Sequence, residues 1–64
     1  MEPHQLRVMD ERRELDEKRA KLQEFLKGEL FKTLDPAEQF RLQTQCSVMC
    51  LYSNILTARI EAFK

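Results

Sequence analysis

The stretch that decides the fold is LKGELFKTLDPAEQF, residues 26–40. Gly28 closes a long periodic run, and a helix commonly ends with a glycine in the left-handed conformation just past its last turn. Downstream, Asp35-Pro36-Ala37-Glu38 spells a helix start. The aspartate is an N-cap, the proline sits at the first helical position, where its missing N–H is no loss, and the glutamate at the third can reach back to the cap amide. One stop and one start, joined by the short connector ELFKTL, predict two helices folded back on each other.

Upstream of the connector, Arg7 to Glu24 contains twelve charged residues in eighteen. Val8, Leu15 and Leu22 recur every seven residues, and Phe25 and Leu26 widen the stripe near its end, so this segment reads as a solvated helix with a narrow apolar seam. Glu14 with Lys18 and Glu17 with Lys21 are favourable pairs at four-residue spacing, each contributing about 0.2–0.5 kcal/mol. Downstream, twelve of the eighteen residues from Cys46 to Phe63 are apolar. Leu42, Met49, Leu56 and Phe63 form one seven-residue series, while Val48, Leu51, Ile55 and Ala62 fill a second flank. A stripe that wide exceeds what the narrow seam of one partner helix can cover. The expected fold is therefore an all-α antiparallel two-helix hairpin, with a first helix at about 5–27 and a second at about 36–62. Residues 1–64 form one domain, completed by self-association into a compact homo-oligomer.

Composition supports the same picture. At 64 residues, a chain buries only about 60% of its unfolded surface and needs a disulfide, a metal or another chain to stabilise it. Cys46 and Cys50 lie four apart on an apparent helix with no second pair and no clustered histidines, so neither a disulfide framework nor a metal site is expected. They read as small buried hydrophobes in a reducing compartment. Eleven acidic and eleven basic residues cancel, against the basic excess of proteins that grip long nucleic acid. No signal peptide and no apolar run of about 18 residues is present, so no membrane segment is expected and the cytosol is the default.

Setting Lys27 level with Pro36 places His4 beside Arg59, and Glu11 or Arg12 beside Tyr52. His4, Arg7, Arg12, Tyr52 and Arg59 would then gather near the open end of the hairpin, where helix N-terminal amides also favour an anion. Flat rings beside guanidinium groups suit a phosphorylated base, offering a stacking face and charge-assisted donors. Each residue also has a plainer reading. Tyr52 fits an interface aromatic with its hydroxyl at the rim, and Arg59 an ion-pair partner of Glu61 or of Glu11 of a neighbouring chain. His4 lies near a terminus, and Arg7 and Arg12 belong to a charged face. No nucleophile stands beside a base, and there is no phosphate-binding glycine loop and no metal cluster. Binding without catalysis or cofactor is the expected class.

Three runs carry a resemblance: R-V-x-D-E-R-x-E-L-D-E-K in Arg7–Lys18, K-L-x-x-F-L in Lys21–Leu26, and M-x-x-Y-x-x-x-L-x-x-R-I-x-x-F in Met49–Phe63. The chain resembles small helical bacteriophage proteins of a crAss-phage related group. That group is similar to the phage anti-CBASS sponges, which sequester the cyclic oligonucleotide signals of bacterial immunity. The resemblance implies a homo-oligomer, a hexamer, acting in the host cytoplasm, whose inter-protomer pockets enclose a cyclic dinucleotide or trinucleotide without cleaving it. It also implies an aromatic ahead of the first long helix for stacking and a cation inside that helix for phosphate, parts that fall to His4 and to Arg7 or Arg12. Here a histidine stands where such sponges more usually have a tyrosine. The alternative reading is a protein-interaction module that binds a host protein through the charged first helix.

Overall fold

A computed structural model describes residues 1–63, and all their regular structure is helical. Helix α1 spans Pro3–Lys27, a single turn α2 spans Glu29–Lys32, and α3 spans Pro36–Glu61. α1 begins two residues before the expected start because Pro3 supplies a helical φ at the first position and Glu2 caps it. The Glu2 amide donates to Gln5 Oε1 at 2.9 Å, occupying a donor that would otherwise be free.

The stop at Gly28 holds, but its mechanism differs from the expected one. Gly28 has φ −85° and ψ 170°, an extended conformation, and no described residue is left-handed. Its N–H donates to the Phe25 carbonyl at 3.0 Å, and its extended backbone then serves as the N-cap of α2. The start at Asp35 holds in full for the cap itself, whose Oδ1 accepts from the Glu38 amide at 2.8 Å. The Glu38 carboxylate, instead of reaching back, accepts from Arg41 Nε at 2.7 Å. An ionised partner one turn away outcompetes a backbone amide.

The connector is more than a loop. Phe31 of α2 is buried and meets Phe25 edge to face, with ring centroids 6.3 Å apart. The Gln39 side-chain amide donates to the carbonyls of Phe31 at 3.1 Å and Leu34 at 3.0 Å, tying α2 under the first turns of α3. This plug lengthens the closed tip and resets the register. Arg12 reaches Thr57, Asp16 reaches Ser53, and Arg19 reaches Cys50, which sets Lys27 level with Leu42 instead of Pro36. α3 therefore runs past the end of α1 before the two helices pair.

Along the pairing, α1 presents Val8, Arg12, Leu15, Arg19, Leu22 and Leu26, and α3 presents Leu42, Cys46, Met49, Ser53, Leu56 and Ile60, all at alternating steps of four and three residues. That is the spacing of an antiparallel coiled coil. Burial is thin. Only Val8, Phe31, Leu56 and Ser53 are buried among the described residues, and Leu56 alone reaches 0% exposure. The second flank of α3 turns away from α1 and stays open, with Val48 at 57%, Leu51 at 63% and Ile55 at 58% exposure. No described helix is long and apolar enough to cross a membrane.

Candidate functional site

The sequence spacing that builds the seam also places charge in it. Ser53 Oγ donates to Asp16 Oδ1 at 2.7 Å, and the same oxygen lies 3.5 Å from Arg19 Nη2. Arg19 Nη1 donates to Cys50 Sγ at 3.6 Å, while its Nε is buried without a hydrogen-bond partner among the described residues. One turn away, Arg12 Nη1 donates to Thr57 Oγ1 at 3.5 Å, and Thr57 donates to the Ser53 carbonyl at 3.0 Å. This cluster escaped sequence reading because it interrupts the apolar pattern. The signal was present in the series Arg12, Arg19 and Leu26, which keeps the seven-residue period beside Val8, Leu15 and Leu22. Chemically the cluster is spoken for. The Ser53 hydroxyl hydrogen goes to the half-buried Asp16 carboxylate, and no imidazole or amine among the described residues stands beside it to act as a base.

Besides the Arg19–Asp16 pair of the cluster, α1 carries Arg13 with Asp10 at 3.2 Å, both pairs at three-residue spacing. The expected pairs Glu14–Lys18 and Glu17–Lys21 are not among them. Exposed side chains of this length gain little by fixing one geometry.

The five sequence-derived candidates fall at separate places. His4 lies inside the first turn of α1, not ahead of the helix, and its ring meets Phe63 edge to face with centroids 6.3 Å apart and planes at 81°. Arg7 is exposed on α1. Arg12 is half-buried against Thr57. Tyr52 is 40% exposed, and the shifted register sets it level with Glu17, midway along the hairpin. Arg59 is exposed and level with Asp10 instead of His4. It forms no hydrogen bond or ion pair among the described residues, so the expected pairing with Glu61 is not formed within the chain.

Tyr52 and Arg59 share a stripe, as their seven-residue spacing requires. Thr57 sits about 140° further round the helix from Tyr52, so Arg12 and the Tyr52–Arg59 pair lie on opposite edges of the hairpin. A single chain thus does not bring the five side chains to one point. The Cα trace extends 46 × 14 × 13 Å, and the described residues enclose no cavity. No group of three metal-ligating side chains converges among them either.

A family model described as Sequestin matches residues 2–62. No curated protein and no solved structure matches the chain.

Proposed function

The chain belongs to the Sequestin family, and from that premise we propose that it is a non-catalytic sequestering protein, a phage-encoded sponge for cyclic oligonucleotide immune signals. The family match, which extends over nearly the whole chain, carries the reading, because the name Sequestin suggests a sequestering protein. In this reading the protein is of the crAss-phage related group, acts in the host cytoplasm, and blocks an anti-phage defence of the CBASS kind by lowering the free signal. The ligand is a cyclic dinucleotide or trinucleotide. The sites are inter-protomer pockets of a homo-oligomer, a hexamer, in which each single-domain protomer supplies part of the wall.

Geometry supports the need for several protomers. Pockets commonly cover about 70–90% of a ligand of this size, and a hairpin without a cavity among its described residues offers only a surface. The open apolar flank at Val48, Leu51 and Ile55 is available to a neighbouring chain. His4, Arg7, Arg12, Tyr52 and Arg59 are the proposed ligand contacts, contributed from different protomers: rings for stacking and guanidiniums for phosphate. Among them Arg7 and Arg59 are permanent cations with no partner among the described residues, and Arg59 has the stronger case because it shares a stripe with the aromatic Tyr52.

Calorimetry against a panel of cyclic di- and trinucleotides tests the proposal. Binding tighter than about 10 μM, roughly −7 kcal/mol, is expected for at least one member, with recovery of the ligand intact. Arg59→Ala should weaken that binding and leave the melting temperature nearly unchanged. Failure of the whole panel to bind sinks the sponge reading. A single stoichiometric host protein in its place, lost on charge reversal of Arg12 and Arg13, would establish the interaction-module alternative.

A further inference from the structure

The face of α3 that turns away from α1 carries a heptad of its own. Thr44, Val48, Leu51, Ile55, Ala58 and Ala62 follow at steps of four and three residues, the pattern of a second coiled-coil seam. From Leu42 to Ala58 the sequence has no Asp, Glu, Lys or Arg, and the three large side chains of the face are more than half exposed. The isolated chain shows 4996 Å² of surface for 7.7 kDa, about 700 Å² more than a compact monomer of that mass. A standard interface buries about 800 Å² per partner.

We infer that two copies of this chain pair α3 against α3, antiparallel and about a twofold axis, with Leu51 of each copy level with Ile55 of the other. The inference rests on the oligomeric reading above and adds the interface. The chain offers two kinds of large surface. The outer face of α1 is dense in charge, and seating it on an uncharged seam would strand ions away from water. The second copy of the α3 face strands none.

Direction and register follow from the same residues. A parallel pair would set Arg41 level with Arg41 and Arg59 level with Arg59 of the other copy and align both helix dipoles, whereas an antiparallel pair separates these charges and opposes the dipoles. With Leu51 facing Ile55, Val48 faces Ala58 and Thr44 faces Ala62, so two large aliphatics meet at the centre and a larger residue meets an alanine toward each end. Moving the pair one step toward the closed tip puts Arg41 into the seam. Moving it the other way carries Val48 past the end of the second α3 and leaves it open.

The partner copy also completes a site. Gln45, Tyr52 and Arg59 recur every seven residues along one border of the face, and in an antiparallel pair like borders meet. Tyr52 then stands beside Tyr52 of the second copy at the twofold axis, and an Arg59 lies about 10 Å along the groove on either side. Two phenols between two unpaired guanidiniums suit a flat dianion with twofold symmetry. The Tyr52–Arg59 stripe that a single hairpin leaves open becomes one wall of a symmetric groove.

Spin labels on a Cys46→Ser, Cys50→Ser background, placed singly at Asn54 or Phe40, decide this by dipolar distance measurement. The antiparallel pair predicts Asn54 labels within about 15 Å of each other and Phe40 labels about 40 Å apart. Leu51→Glu should abolish both signals and lower the mass in solution. Short distances at both sites mean a parallel pair and overturn the inference. A monomer at 100 μM, or long distances at both sites, overturns it as well. Because the labels report pairing and calorimetry reports ligand, a failed nucleotide panel leaves the pairing standing, and a failed pairing leaves the nucleotide result standing.

Discussion

Adjacent residues on α3 should respond oppositely to truncation. Leu56 is 0% exposed and Ile55 is 58% exposed, although each is a large aliphatic one position from the other. A Leu→Ala change in a closed core costs about 2–5 kcal/mol, with the lower values where the site can relax. A seam only two helices deep has open edges, so about 3 kcal/mol is expected for Leu56→Ala. A hairpin of this size has only about 3–5 kcal/mol of total stability, so that variant should be largely unfolded at low concentration. Ile55→Ala removes atoms that are mostly in water already, a loss of about 1 kcal/mol that alanine's higher helix propensity reduces by a few tenths. Urea unfolding followed by circular dichroism, at about 5 and about 100 μM, separates the two. At the lower concentration Leu56→Ala should be the costlier by about 2 kcal/mol. At the higher concentration a second copy covers Ile55 and the gap should narrow. Ile55→Ala equal to or worse than Leu56→Ala at 5 μM would refute the assignment of the two faces.

Three further substitutions probe the elements that set the hairpin. Asp35→Ala removes the cap on the Glu38 amide and should cost about 1 kcal/mol in the same unfolding assay, whereas no change would mean that Pro36 alone starts the helix. Gly28→Ala should be neutral or stabilising by about 0.4–1 kcal/mol, since its φ of −85° suits any residue and the added Cβ would lie an ordinary 3.4 Å from the Phe25 carbonyl. A loss above about 1 kcal/mol would contradict that conformation. Ser53→Ala leaves a partly solvated Asp16 without its hydroxyl donor and should cost about 1 kcal/mol, and a stabilised variant would show that the seam does not need the contact.

How much of this was legible in sequence varies with how local the cause is. Asp35 and Pro36 mark a helix start through their own chemistry, and the two flanks of α3 are read from spacing alone, so both could be placed. The stop at Gly28 was readable but its backbone conformation was not, because α2 imposes it from the far side. Register was lost for the same reason. Whether ELFKTL is a plain link or a helical turn around a buried Phe31 depends on Gln39 and Phe25, which lie outside it. The error carried into the site, moving Tyr52 from beside Arg12 to the level of Glu17. Charged residues in and beside the seam defeated the apolar pattern, so Asp16 and Arg19 passed for a solvated face and Arg12 for an anion contact at the open end.

The hydroxyl at Ser53 has a consequence for where everything else on the outside stands. Two smooth apolar seams with a seven-residue repeat could slide by one repeat and fit almost as well. Here such a slip would set Asp16 against Ile60 or Cys46, leaving a partly solvated carboxylate without its donor at a cost of about 1 kcal/mol. The 2.7 Å contact works as a notch in a ruler. It selects one alignment among near-equals, and so fixes at what height each charge on α1 stands beside Tyr52 and Arg59 on the outer border.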